Sequence, residues 1–271
     1  AAAVELGDVD TLLGITDRAA KAARATGTVS VLPTALTYRI IALIHAGRFG
    51  ETPDLLAEAA TAEEAMGLSP SMIAPAMLGA YRGRQQQATA RIEALERDGE
   101  QRGIGRLLGV AGCARAVLHN GLGNYPLAVE AARKALEYQD LALHNWARTE
   151  LVEAAARAGD QDAVAEARER LSDWALAGTP WAQGVYALAG ALSAATATAT
   201  APAPSGGGAR KDQAEDRYRE AIDHFERGGL GVLETRSRLL FGEWLRRQNR
   251  RTQARAELRA AYEAATAMGM E

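Results

Sequence analysis

Turn signals recur along this chain at a nearly fixed interval, and that interval limits the fold more than any other feature. Gly47, Gly83, Gly121 and Gly159 lie 36, 38 and 38 residues apart, and each follows an amphipathic stretch. Glycine readily takes the left-handed conformation that ends a helix, and a second helical pattern begins within a few residues of each one. Two helices in a unit of this length are typical of tetratricopeptide (TPR)-like arrays, whose unit is nominally about 34 residues.

The composition agrees with helices packed on helices. Hydrophobic residues are 48% of the chain but aromatic residues only 5%, so alanine and leucine must fill most of the interior. Alanine is the strongest helix former, and runs of strand-favouring residues are nearly absent. Pro53 and Pro126 fall where second helices would begin, a position that tolerates proline. We predict an all-α chain, a TPR-like right-handed solenoid of antiparallel helix pairs with about six repeats of roughly 36–38 residues.

The turn expected in the fifth repeat falls in a low-complexity segment. Residues 194–209 alternate alanine with threonine and then contain proline and three consecutive glycines. This composition predicts no packed element. We therefore predict one domain over residues 1–271, with a flexible low-complexity insertion at about 194–210. Residues 8–26 are expected to be the second helix of an incomplete first unit, as though both ends were cut from a longer protein.

Residues with catalytic or metal-binding chemistry do not form a recognisable pattern. The sequence contains no phosphate-binding loop, nucleophile elbow or metalloprotease motif, and its four histidines lack metal-ligand spacing. The single Cys113 lies in an apolar run and is predicted to be a small buried hydrophobe. Glu150 and Glu153 are one helical turn apart, and we expect them to pair with arginines of a neighbouring helix. We predict no enzyme activity and no cofactor in this chain; an enzyme with an unrecognised site in the groove is the weakest hypothesis.

The charge pattern gives no general attraction to nucleic acid or membrane. The net charge is -3, and no apolar run approaches the length of a membrane span. We expect a soluble, cytoplasmic protein. Residues 233–260 nevertheless carry eight arginines against three glutamates. A solvated helix face with internal ion pairs is favoured for this segment over a surface that contacts phosphates.

A TPR-like stack has a concave groove lined by the first helix of each unit, and such a groove is the usual place for a ligand or peptide. Polar and aromatic residues on the predicted first helices are therefore the candidate binding residues, although for any one of them core packing is the simpler role. Trp174 and Trp244 are predicted to be packing anchors between repeats. The candidates for the groove are Tyr38, Tyr81, Arg115, His119, His144, Trp146, Glu150, Trp181 and Tyr186.

The C-terminal residues 214–271 contain a distinctive pattern, in which Tyr218 and Ala221 are followed by the run LFGEWLRR at 240–247. With this pattern they resemble the segment before the DNA-binding domain in large ATP-dependent LuxR-type transcription regulators. Segments upstream resemble the same family, so the resemblance covers most of the chain, while the C-terminal motif is its specific part. The matching residues are Tyr218, Ala221, 240–247 (LFGEWLRR), Arg250, Arg251, Ala254, Arg255 and 268–271 (MGME), and upstream 25–27, 32–33, 46–48, 120–125 (NGLGNY) and 150–155 (ELVEAA).

The resemblance implies a signal-transduction ATPase with an N-terminal nucleotide-binding module, a helical-repeat region and a C-terminal helix-turn-helix. ATP binding and DNA binding would belong to modules outside these residues. The repeat region would sense a small-molecule inducer or a regulatory protein and relay that signal. The alternative hypothesis is a free-standing TPR-like adaptor that binds a protein segment, and its basis is the repeat alone.

Overall fold

The computed structural model describes residues 2–138, 141–200 and 207–271, and the chain is all-helical in these ranges. They contain fourteen α-helices, short 3-10 turns at Val29–Val31 and Phe49–Glu51, and no strand. The helices are α1 (Ala2–Leu6), α2 (Val9–Thr26), α3 (Leu32–His45), α4 (Thr52–Ala65), α5 (Ile73–Arg82), α6 (Gln85–Arg102), α7 (Gly105–Gly121), α8 (Tyr125–Leu136), α9 (Leu141–Ala158), α10 (Gln161–Ala175), α11 (Pro180–Thr200), α12 (Gly207–Arg227), α13 (Gly231–Arg247) and α14 (Arg251–Met268).

The turns between helices fall where the sequence predicted them, with one difference in detail. Gly47, Gly83 and Gly159 follow α3, α5 and α9 with φ of 76°, 78° and 81°, the left-handed conformation expected of them. Gly121 was predicted to do the same and does not. It is the last residue of α7, because the Leu122 amide still donates to the Leu118 carbonyl at 3.0 Å. Gly123, with φ of 74°, makes that turn instead.

Two further predicted elements are present. α2 begins after Asp8, whose carboxylate accepts the Thr11 amide at 2.9 Å and so caps the helix. The last turn lies at Asn249, which takes a φ of 63° in place of a glycine. Pro53 and Pro126 lie in the first turns of α4 and α8, as expected.

The helices extend further into the low-complexity segment than its composition predicted. α11 continues to Thr200 and α12 begins at Gly207. Alternating alanine and threonine continues a helix because alanine strongly favours it and each threonine costs only a few tenths of a kcal/mol. Residues 201–206 lie outside the described residues, and an insertion at this place stays a prediction.

The helices divide into two sets by position. We call α1, α3, α5, α7, α9, α11 and α13 the first helices, and the helix after each one its second helix. Each second helix packs on its own first helix. Contacts also run between successive first helices from α3 to α11.

Helices far apart in the sequence also contact each other. α1 packs against α9, and α13 packs against α3. The Thr179 hydroxyl, just before α11, donates to the Leu6 carbonyl at 2.6 Å. After α14, the Glu271 amide donates to the Arg82 carbonyl at 2.9 Å, and the Glu271 carboxylate pairs with Arg84 at 2.7 Å. The first helices thereby surround a common interior.

Small residues and a few aromatic rings fill this interior. Gly184 of α11 lies under the Phe225 ring, where a Cβ atom would be 2.5 Å from the ring. Trp174 and Trp244 are buried, as predicted for packing anchors. Trp174 meets Trp181 edge-on at 6.3 Å, and Trp244 lies 6.1 Å from Tyr218, so each contacts the neighbouring helix pair. Cys113 is buried too, as predicted. No helix within the described ranges is long and apolar enough to cross a membrane.

Candidate functional site

All nine residues predicted to line a groove lie on first helices, but they divide into three groups by environment. Three are aromatic residues packed in the interior, one is a buried carboxylate, and most of the others make local contacts on partly exposed surfaces. Tyr38 and Trp146 also line a pocket between the first helices.

Tyr81, Trp146 and Trp181 converge on a histidine that the sequence did not single out. The ring centroids of Trp181, Trp146 and Tyr81 lie 4.3, 5.2 and 5.6 Å from that of His45. The two tryptophan rings are parallel, with centroids 6.1 Å apart. All four side chains are buried. Four first helices, α3, α5, α9 and α11, are therefore joined through one aromatic cluster.

His45 is neutral in this cluster. Burial, with a smaller contribution from the charge of Arg236, lowers its pKa from 6.5 to about 3. The sequence indicates only that His45 lies at the end of a helix, two residues before the predicted turn glycine Gly47. Nothing in the local pattern shows that its ring points inward.

Glu150 and Glu153 of α9 both pair with Arg236 of α13, in agreement with the predicted ion pairing. The Arg236 guanidinium donates to the two Glu150 oxygens at 2.7 and 2.9 Å, and to Glu153 at 2.6 Å. Asn120 of α7 donates to the Glu150 side chain at 2.9 Å and to its carbonyl at 3.0 Å. We call Glu150, Glu153, Arg236 and Asn120 the ionic centre. It joins three first helices.

The ionic centre is shielded from water, and this changes the titration of its members. Burial raises the pKa of Glu153, although Arg236 opposes the shift. Burial alone would lower the pKa of Arg236, but Glu150 and Glu153 raise it well above its usual range. A buried ion pair gains little net stability, but losing one member leaves an uncompensated charge. The ionic centre therefore fixes the position of α13 relative to α9.

Three of the predicted residues, Arg115, Tyr186 and His144, are held by local contacts. The Arg115 guanidinium pairs with Glu96 at 2.6 Å, and Arg168 lies 5.4 Å from the Tyr186 ring centroid. His144 Nε2 donates to the Tyr138 carbonyl at 2.8 Å. Partial burial, aided by the positive charge of Arg115, lowers the pKa of His119. These side chains do not converge on one site.

A pocket of about 230 Å³ lies between five first helices. Its walls are mostly apolar, with Tyr38 and Trp146 as the aromatic members. One polar edge is formed by the Tyr38 hydroxyl, which accepts a hydrogen bond from the Arg106 guanidinium. At another edge the Glu63 carboxylate accepts the Ser71 amide at 2.8 Å. The remaining lining residues are Val4, Pro33, Thr34, Thr37, Ile41, Ile73 and Val110.

In its lining, though not in its volume, the pocket fits the usual description of a small-molecule site. Such sites are concave, mainly apolar and carry a few polar groups that fix orientation. Sequence analysis found Tyr38 and Trp146 because both lie on first helices. It missed Arg106, Glu63 and the apolar walls, since these come from five separate elements and share no pattern along the chain.

Within the part of the chain that the structure describes, no group of three or more histidine, cysteine or acidic side chains is arranged to hold a metal ion. Burial raises the pKa of the Cys113 thiol far above its ordinary value, so the thiolate needed of a nucleophile is disfavoured. No protein-family model matches the chain, and no curated protein does so either.

Proposed function

We propose that this chain is the sensor domain of a LuxR-type transcription regulator and that it binds a small effector in the pocket between the first helices. The helix pairs would form a TPR-like right-handed solenoid, an interpretation supported by the regular turns and by the contacts between successive first helices. The regulator role is supported by the sequence resemblance. ATP-binding and DNA-binding modules would belong to the rest of a longer cytoplasmic protein.

The pocket is the observation that carries the sensor proposal. Its volume of about 230 Å³ is below the roughly 300–1,000 Å³ usual for sites of drug-sized ligands, so the effector would be small. Its walls favour an apolar body, while the Tyr38 hydroxyl and the Glu63 carboxylate favour a polar group at the edge. An effector there would contact α1, α3, α5, α7 and α9 together. Binding would thereby favour one arrangement of the helix pairs over another, which is how a ligand shifts a conformational equilibrium.

Native mass spectrometry of the purified chain, with and without host-cell metabolite extract, tests the proposal. We expect a retained or captured small molecule in the unmodified chain. Thr34→Trp, at an exposed edge of the pocket, should abolish the capture because the indole fills the entrance. Thr252→Trp, an exposed threonine of α14 away from the pocket lining, is the matched control and should capture normally.

Two results would count against a small effector. A bare chain mass in every sample would do so, and so would equal capture by both tryptophan variants. Binding of a protein segment in place of a metabolite would favour the adaptor hypothesis, in which the same helical surface recognises a peptide.

A further inference from the structure

The arginines of residues 233–260 separate into two groups in the structure. Arg236, Arg238 and Arg250 are held by carboxylates: Arg236 in the ionic centre, Arg238 by Glu234 and Glu257, and Arg250 by Glu215. The other group is exposed, and in the described part of the chain none of its members forms an ion pair. It consists of Arg246, Arg247, Arg251, Arg255 and Arg259.

Three of the exposed arginines form a stripe along α14. Arg251, Arg255 and Arg259 are four residues apart, so they lie on successive turns of one face, about 6 Å apart along the axis. Tyr262 lies on the same face by helical periodicity, and its side chain is 72% exposed. Arg246 and Arg247 end α13, within five residues of the start of this stripe. We call Arg251, Arg255, Arg259 and Tyr262 the α14 stripe.

The surroundings of the stripe leave its charge uncompensated. Glu257 lies on the opposite side of α14 and is bound to Arg238 at 3.1 Å. Glu263 lies at the edge of the stripe and forms no ion pair within the described residues. Three cations therefore face water beside one exposed carboxylate. The net charge of -3 for the whole chain does not describe this surface.

We propose that the α14 stripe binds the phosphate backbone of a nucleic acid, with Tyr262 stacking on a base. Guanidinium groups about 6 Å apart can each reach a phosphate of a strand whose charges recur about every 3.4 Å of duplex axis, so the three arginines would contact roughly every second phosphate. An exposed aromatic ring among arginines is the combination that binds single strands. A membrane surface fits less well, because the buried Ala254 and Ala261 face the core and the stripe has no apolar row to insert.

Fluorescence anisotropy with a labelled single-stranded 20-mer and a 20-base-pair duplex tests this surface. The full chain should bind at low salt, and its affinity should fall steeply as salt increases. The triple variant Arg251→Gln/Arg255→Gln/Arg259→Gln should bind at least about 10-fold more weakly. Its salt slope should decrease by about 2 to 3, since each lost phosphate contact removes about 0.7 to 0.9.

The matched control removes the same total charge elsewhere. Arg18, Arg97 and Arg170 are exposed arginines on α2, α6 and α10, and their triple replacement by glutamine should leave the affinity within about twofold. Because all six positions are exposed, both variants should keep the helical circular dichroism and the melting temperature of the parent.

Tyr262→Ala distinguishes the two forms of nucleic acid. If the stripe holds a single strand, the variant should bind the 20-mer about 5- to 150-fold more weakly, the effect of losing one stacked base. If it holds a duplex, only the arginine variant should lose affinity. The proposal is overturned if neither probe binds at low salt, if both triple variants lose affinity equally, or if polyglutamate competes as well as the nucleic acid at equal charge. None of these readouts involves the pocket, so they are separate from the effector proposal.

Discussion

Arg236 donates hydrogen bonds to two carboxylates in the interior, so none of the three charges is left alone. Asn120 completes the coordination of Glu150 from a third helix. His45, close enough for its pKa to be affected by Arg236, stays neutral among aromatic rings. At the scale of single residues, then, the interior holds a few polar groups whose charge states are fixed by their neighbours. Two predictions concern these groups.

Replacing Arg236 by methionine should destabilise the fold by about 3 to 5 kcal/mol, because Glu150 and Glu153 would lose the cation that pairs with both of them in the interior. Methionine and arginine side chains have similar lengths, so the change in packing should be small. Urea unfolding followed by circular dichroism measures the loss. Arg247→Met, at an exposed position of the same helix, is the control and should change the unfolding free energy by less than about 0.5 kcal/mol. Equal losses of unfolding free energy in the two variants would mean that the ionic centre is not shielded from water.

His45 should make the fold less stable in mild acid. Its pKa is lowered to about 3 in the folded chain from an ordinary 6.5, so below pH 6.5 the unfolded chain takes up a proton that the folded chain does not. Stability should therefore fall by up to about 1.4 kcal/mol per pH unit between pH 6.5 and 3. Urea unfolding at pH 7 and 5.5 should show a smaller loss in His45→Met than in the parent. Some loss of stability with falling pH should remain in the variant, since partial burial also lowers the pKa of His119 and His224. An equal loss in the variant and the parent would contradict a neutral, buried His45.

At the scale of elements, helices meet closely where one of them carries a small residue. Gly184 and Gly190 belong to the same helix, α11, but face different neighbours. A Cβ atom at Gly184 would lie 2.5 Å from the buried Phe225 ring, whereas one at Gly190 would meet nothing closer than 3.7 Å. Substitutions at the two positions therefore distinguish a glycine that close helix packing requires from a glycine that only weakens its own helix.

Gly184→Ala should destabilise the fold by about 1 to 3 kcal/mol, because the Phe225 ring is buried and has no space to move. Gly190→Ala should instead stabilise it by about 0.5 to 1 kcal/mol, the usual gain when alanine replaces glycine inside a helix. Thermal melting of both variants measures these two changes in stability. Stabilisation by both substitutions would show that α11 and α12 are further apart than the structure places them.

At the scale of the whole molecule, helix pairs that are distant in sequence pack against each other. A repeat stack in which each unit touches only its neighbours unfolds as a sum of local steps. Here α13 contacts α3, α1 contacts α9, and Glu271, three residues after α14, binds Arg82 and Arg84 at the turn after α5. These contacts couple the pairs into one unit that encloses the pocket.

We therefore expect one cooperative urea transition. Circular dichroism follows all helices, and tryptophan fluorescence follows the interior through the four buried tryptophans, Trp146, Trp174, Trp181 and Trp244. The two should give coincident curves. Loss of α13 and α14 in a separate, earlier step would contradict the coupling. The Arg236→Met variant should keep the single transition but show it at lower urea, because the substitution weakens the contact between α13 and α9.

The sequence predicts local structure well in this chain and long-range structure poorly, for identifiable reasons. Glycine turns, helix-start prolines and alanine content act within a few residues, so they locate the turns at Gly47, Gly83 and Gly159 and the first helices. Arg236 and Glu150 form an ion pair although they lie far apart in the chain. Pairs of arginine and glutamate are also common on protein surfaces, so the residue types alone do not predict a pair in the interior. Only the packed structure shows that Glu150 is buried and that Arg236 is largely shielded beside it. The pocket has the same origin, since its lining residues come from six helices and one loop and become adjacent only when α1 and α3 approach α9.

The most direct test of the sensor proposal is a crystal structure of the chain with the molecule captured from metabolite extract. We expect electron density for a small molecule between Tyr38 and Trp146, with its polar group towards the Tyr38 hydroxyl or Glu63. Density bound elsewhere, or a pocket unchanged while the molecule occupies an outer surface, would contradict the assignment of this pocket as the sensing site.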